Sequence, residues 1–282
     1  MAASLLLCTD MDRTVIPNGE AVEHPLARKA LHAFCHRPEV TLVYVTGRDP
    51  QLVREAIAEF DLPQPDYAVT DVGTAIAKVT PQGWEKMPAW DDAIGSDWAG
   101  NSPARLQRVL ADLSELQPQE ASKQGLYKLS YYLPLQSNVA TFQAEIEDRL
   151  AALDVLATVV WSIDEPRQIG LLDILPRSAS KLHALEFLRR QLGYRREKLL
   201  FAGDSGNDLQ VLSSAIPSVL VANASDEVRT QAQQLAEAAG HAATLHLASS
   251  SAAGEGNYAA GLLQGVNHFF PDYPPLLQGE EV

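Results

Sequence analysis

The apolar run "LLLCTDMDRT" (Leu5–Thr14) ends on two aspartates one residue apart. Asp10 and Asp12 repel each other and raise each other's pKa, so a cation is expected between them. While the chain stays extended, residues two apart point to the same side, and both carboxylates reach one reacting group. Three more polar clusters follow: Thr46, Gly47 and Arg48 in "VTGR"; Lys181 after "RSAS"; and Asp204, Asn207 and Asp208 in "GDSGND". Asp10 and Asp12, joined by Asp204, make an all-oxygen metal site suited to Mg²⁺. An ionised Asp10 can attack phosphorus and give an aspartyl-phosphate, while Asp12 protonates the leaving alcohol and later activates water. The transferring group carries charge on its equatorial oxygens. Thr46 with the N–H of Gly47, Lys181 and Asn207 are the groups to meet that charge, and Lys181 lies in a helix's first turn, where backbone donors add to the field.

These residues need elements to hold them. "SLLLCT", "VTLVYVT" and "DYAVTDVGTAI" read as strands, separated by helical spacing at Leu26, Ala27, Ala30, Leu31 and Phe34 and again from Pro50, with Asp49 as N-cap. The rhythm resumes with a helix opened by Ser178 or Ser180 and closed at Gly193, then "KLLFAGD", "SVLVANA", "ATLHLA" and a last helix from Tyr258. Continuous apolar strands alternating with helices predict βαβ units and a parallel sheet. In such a sheet ligands bind outside the carboxyl ends of the strands, where the four clusters fall. Between Trp84 and Arg167 the pattern differs: a polar loop with Trp90 and Trp98, then helix, the strand "LYKLSYYL", helix, and the strands "ATVVWSI" and "QIGLLDIL". That stretch predicts a separate α+β unit. The domains are expected at 1–82 with 172–282, and at 83–171.

Taken singly, each cluster is an ordinary turn or a solvated side chain; four in this order, each at a strand end or helix start, read as a reaction centre. With 22 basic and 36 acidic residues the net charge is −14, which leaves no basic field for nucleic acid or an anionic membrane. Two cysteines fit a reducing compartment, and no leader or span is visible, so a soluble cytoplasmic protein is expected. His32 and His36 share a helix face beside Cys35, but with no third ligand they read as helix surface. The tryptophans read as packing residues.

With these motifs the chain resembles the haloacid dehalogenase superfamily of aspartate-nucleophile phosphatases: "DMDRT", "VTGR", Lys181 and "GDSGND" look like its four motifs. The insert resembles a C2-type cap, subclass IIB. Within that group "TDVGTAI", "LDILPRSASK" and "FAGDSGND" are most similar to the sucrose-phosphate phosphatases. The resemblance implies a Rossmann-like core with Asp10 as nucleophile, Asp12 as general acid/base, and Thr46 and Lys181 on phosphate. It implies Asp204 and the Asp12 carbonyl on Mg²⁺, and Asp208 orienting Lys181 or a metal-bound water. Arg13 and Leu182 depart from the residues usual at their positions.

The substrate expected is a small-molecule sugar phosphate, foremost sucrose 6-phosphate, with a sucrose-phosphate synthase as candidate partner. Mannosylfructose phosphate, glucosylglycerol phosphate and a monosaccharide phosphate are the alternatives, and a phosphomutase of the same superfamily is a second reaction. A phospho-aspartate receiver module is a third class, but it leaves the insert before Lys181 unexplained. Selection among alcohols is expected from the insert, with Lys128 and Ser130 as candidates and Arg48 and Gln168 as further ones. The segment 249–257 has no role assigned.

Overall fold

The computed structural model describes residues 4–164, 167–250, 253–274 and 276–277. In its first part the chain forms β1 (Leu5–Thr9), α1 (Ala27–Cys35), β2 (Val40–Val45), α2 (Pro50–Glu59), β3 (Tyr67–Thr70), β4 (Ala75–Thr80) and β5 (Gly83–Lys86). The middle gives α3 (Pro88–Gly95), α4 (Pro103–Val109), β6 (Gln117–Pro118), β7 (Leu129–Leu133), α5 (Val139–Ala151), β8 (Ala157–Asp164) and β9 (Ile169–Pro176). The last part adds α6 (Lys181–Gln191), β10 (Leu199–Gly203), α7 (Leu209–Leu212), β11 (Ser218–Leu220), α8 (Asp226–Ala238), β12 (Leu245–Leu247) and α9 (Tyr258–Phe269).

Eight strands form one sheet in the order β12-β11-β10-β1-β2-β3-β4-β5, with the ladders from β12 to β3 parallel. β1 lies inside it, Cys8 opposite Phe201 on one side and Val43 on the other. All five of its residues are buried, which is why it reads as a continuous apolar run. α1 turns Ala27, Leu31 and Phe34 inward at helical spacing. Asp49 caps α2 as expected, accepting from Gln51 and Leu52 N–H at 3.0 Å each, with Pro50 in the first turn. α9 is apolar nearly all round and packs against α1, β10 and β11.

The chain divides into two compact units: Met1–Gly73 with Ala77–Glu85 and Lys181–Val282, and Thr74–Ile76 with Lys86–Ser180. The second unit has a four-stranded sheet, β6-β7-β9-β8, and its own core around Trp98, Leu106, Tyr131, Ile146, Leu172 and Ile174. Its chain returns to the first unit at Lys181 rather than at 172, because β9 stays paired with β8 as far as Pro176 opposite Ala157. The stretch read as a polar loop contains α3. Pro88 presets its first turn, and Trp90 and Ile94, one turn apart, are buried. Trp98 is fully buried and Trp84 and Trp161 pack against the two cores, so the tryptophans are packing residues. No helix among the described residues is long and apolar enough to cross a membrane.

Candidate active site

β1 delivers Asp10 where the ladder ends: its N–H still donates to Ala202 O at 2.9 Å, and the chain then leaves the sheet. The next residues wrap around Met11 O, which accepts from the N–H groups of Thr14, Val15 and Ile16. Asp10 Oδ1 accepts from Met11 N at 2.8 Å, and Oδ2 lies 3.0 Å from Lys181 Nζ. Lys181 opens α6 and also donates to Asp208 Oδ1 at 2.7 Å and Asn207 Oδ1 at 3.0 Å. Asp204, at the end of β10, accepts from Thr14 Oγ1 at 3.1 Å. Asp208 folds back, so that its Oδ2 accepts from the N–H groups of Asp204 and Ser205 at 3.1 Å each. Gly203 makes that return possible, since a Cβ there would stand 2.6 Å from Asp208 Cγ.

Asp10, Asp204 and Asp208 are all buried, with one oxygen of each within 4.8 Å of the others. They share one buried ammonium. Burial, then the charges of Asp208 and Asp204, push Asp10 up to about 7 against the pull of Lys181. Burial and Asp208 push Asp204 up to about 6 against Arg13, Thr14 and Lys181. Burial works against the charged Lys181, but Asp10 and Asp208 outweigh it and hold the ammonium above its ordinary value. The pocket thus carries more negative than positive charge, and its donors are oxygens. That fits a hard divalent cation such as Mg²⁺. Asp208 is the most heavily engaged of the three, with Lys181 on Oδ1 and the N–H groups of Asp204 and Ser205 on Oδ2, while Asp10 meets Lys181 and Met11 N–H and Asp204 meets Thr14 Oγ1.

Asp12 is differently placed. Its carboxylate takes a two-pronged contact from Arg48, Nε to Oδ2 at 2.8 Å and a terminal nitrogen to Oδ1 at 2.6 Å, and a third bond from Asn18 Nδ2 at 2.8 Å. Burial raises its pKa, but the Arg48 and Asn18 bonds outweigh that and leave it below the ordinary carboxylate value. Arg48, expected as a specificity residue, is the counter-ion of Asp12 in this arrangement. Thr46 is buried at the end of β2, its Oγ1 accepting from Arg48 N at 3.2 Å, and Gly47 beside it is exposed.

Of the residues read from the sequence, Asp10, Lys181, Asp204, Asn207 and Asp208 come together directly, and Thr46, Gly47, Arg48 and Asp12 form the adjoining strand-end loops. Lys128 and Ser130 belong to the second unit. There Lys128 is buried, and Ser130 Oγ bonds Asp173 and, at 3.1 Å, Lys123 O. His32 bonds Asp61 O at 2.8 Å and stacks on His36, and the carboxylate trio is the one metal-capable cluster among the described residues. Asn18 was missed. Its signal was the turn "PNG" closing the motif loop, where an asparagine can bond back to the residues it follows.

A parallel α/β sheet with clustered acids, a buried lysine and a Thr-Gly loop at its strand ends is the arrangement of a hydrolase of haloacid dehalogenase type. A family model for sucrose-6F-phosphate phosphohydrolase matches residues 3–270, and the chain belongs to that family. Sucrose-phosphatase 2 of Nicotiana tabacum is 30% identical over 281 residues, 95% of this chain and 59% of the tobacco protein. The chain therefore spans about six-tenths of that relative's length. Mannosylfructose-phosphate phosphatase of Agrobacterium fabrum is 34% identical over 233 residues, 81% of this chain and 87% of that protein. The sucrose-phosphatase of Synechocystis sp. PCC6803, solved in complex with sucrose and phosphate, superposes with a TM-score of 0.72 at 26% identity, over 95% of this chain and 98% of that one.

Proposed function

We propose that this chain hydrolyses a sugar phosphate, foremost sucrose 6-phosphate, to the free sugar and inorganic phosphate through an aspartyl-phosphate on Asp10. The observation that carries the reading is Asp10 Oδ2 at 3.0 Å from the buried Lys181, with Asp204 and Asp208 beside them. A nucleophilic carboxylate must be ionised, and Lys181 pulls Asp10 toward that form against the burial that favours the neutral acid. Mg²⁺, held by Asp10, Asp204 and the Asp12 carbonyl, would supply positive charge that offsets the carboxylates and the phosphoryl oxygens. Lys181, Asn207, Thr46 and the N–H of Gly47 receive the remaining phosphoryl charge.

Asp10 forms its bond to phosphorus as the bond to the sugar oxygen breaks, and Asp12 gives that oxygen a proton. Asp12 then takes a proton from water, which attacks phosphorus and returns Asp10 and free phosphate. The first step needs a protonated Asp12, which the Arg48 pair opposes. The reading therefore requires Arg48 to release Asp12 once substrate is bound. Lys128 and Ser130 are assigned to recognition of the sugar, with the second unit acting as a C2-type cap.

Mannosylfructose phosphate is the second reading, favoured by the greater identity to the Agrobacterium protein, 87% of whose length this chain covers. Phosphate release from sucrose 6-phosphate, mannosylfructose phosphate, glucosylglycerol phosphate and glucose 6-phosphate, with Mg²⁺ and with EDTA, tests the assignment. Sucrose 6-phosphate is expected to turn over fastest. A faster rate on mannosylfructose phosphate transfers the assignment, and equally slow release from all four removes it.

A further inference from the structure

Two residues beside the carboxylate loop have left-handed backbone although neither is glycine. Arg13 (φ 55°) directly follows Asp12, and Tyr258 (φ 49°) opens α9. An L side chain disfavours this region, so each residue has to be held there. One side chain holds both. Asn223, beyond the end of β11, donates from Nδ2 to Arg13 O at 2.6 Å and accepts at Oδ1 from Tyr258 N at 2.8 Å. A carboxamide offers donor and acceptor in one plane, which neither Asp nor Ala can do.

Arg13 is tied to the reaction centre on its other sides. Its N–H donates to Asn18 Oδ1 at 2.8 Å, and Asn18 Nδ2 donates to Asp12 Oδ1 at 2.8 Å. Its Nε stands 3.6 Å from Asp204 Oδ2. The far end is equally fixed: Asn257 Nδ2 donates to Val22 O at 3.0 Å. Tyr258 is fully buried, and a Cβ on Gly19 would lie 2.9 Å from its Oη.

We propose that Asn223 is a positioning residue for the phosphatase reaction. It clamps the turn carrying Asp12 and Arg13 to the start of α9, and so fixes where the Asp12 carboxylate and the Arg13 guanidinium stand. Its bonds reach neither Asp10 nor Asp204; it acts through Arg13. The kinetic half of this inference rests on the function proposed above, and the structural half does not.

Asn223→Asp keeps the acceptor for Tyr258 N and sets a carboxylate against Arg13 O, so it breaks one arm of the clamp and spares the other. Its kcat for phosphate release is expected to fall about tenfold or more, with KM within about threefold, as follows when a group is moved rather than removed. Amide hydrogen exchange is expected to quicken at Arg13 and to stay slow at Tyr258. Glycine takes the left-handed conformation unaided, so Arg13→Gly with Asn223→Asp should run within about threefold of Arg13→Gly alone. An Asn223→Asp kcat within about twofold of the parent overturns the proposal, as does a full additive loss in the double variant. Unchanged exchange at Arg13 also overturns it. If the parent releases no phosphate from any sugar phosphate, the function reading fails, and the exchange experiment still decides the clamp.

Discussion

Among the described residues Lys181 is the buried ammonium that faces the three buried carboxylates, and the balance of the site turns on it. Lys181→Met keeps the stem and removes the charge. It is expected to lower unfolding stability in EDTA by about 3–5 kcal/mol, the usual effect of stranding a buried charge, as read by denaturant titration. A change under about 1 kcal/mol would mean that the carboxylates are balanced by something else. Asp10→Asn should abolish phosphate release yet leave the fold intact. The pKa of Asp10 is raised from 3.8 to about 7, so its contribution to stability is full below the ordinary value and is lost as pH rises through the folded one. Asn carries no such charge, so in EDTA at pH 8 the variant should melt no lower than the parent; a clear drop in its melting temperature would contradict that sign. Arg48→Gln frees Asp12 from the pair that lowers its pKa. The basic limb of kcat/KM should then move to higher pH if, as proposed, the first step needs Asp12 protonated. The pair is partly exposed, so its loss should change stability by less than about 1 kcal/mol. A basic limb that stays in place would separate Asp12 from the proton transfer.

The same chemistry depends on how strands end. The turn after β10 works because Gly203 leaves room for Asp208 to return over it, and Gly203→Ala pushes a methyl into that carboxylate. About 2–4 kcal/mol of stability should be lost, together with most activity, because the bonds from Asp204 and Ser205 N–H go with it. Activity within threefold of the parent would show that the turn tolerates the shift, a bound set by ordinary surface substitutions. These ends were legible in the sequence because each combines a local pattern with a break in it: "LLLCT" is wholly buried and stops at a charge, and Asp49–Pro50 spells a helix start. α3 was not legible, since "PAWDDAIG" is barely two turns long and offers a single pair of large apolar residues, Trp90 and Ile94, too short a stretch for a helical period to stand out. The pairing of Arg48 with Asp12 was hidden for another reason: it joins two loops whose approach is fixed by the register of β1 on β2, which no spacing along the chain reveals. The same holds for Asn223, which meets Arg13 only through the sheet.

On the scale of the molecule, the second unit has a core of its own, separate from the packing of the first. Only the first unit contains the carboxylate trio, so unfolding is expected to depart from a single two-state transition, with Mg²⁺ raising the midpoint of one part alone. Calorimetry with and without Mg²⁺ checks this, and one transition moving as a whole would show that the units melt together. The strand order also bears on how the protein is made. β1 leaves the ribosome well before β10, the neighbour it needs on one side, which is synthesised only after the entire second unit. Throughout that interval the nascent chain holds a half-built sheet with an apolar, unpaired edge, the kind of surface on which translating chains stick to one another. Growth of the polypeptide thus places the greatest demand on chaperones while Asp10 already exists and Lys181 does not.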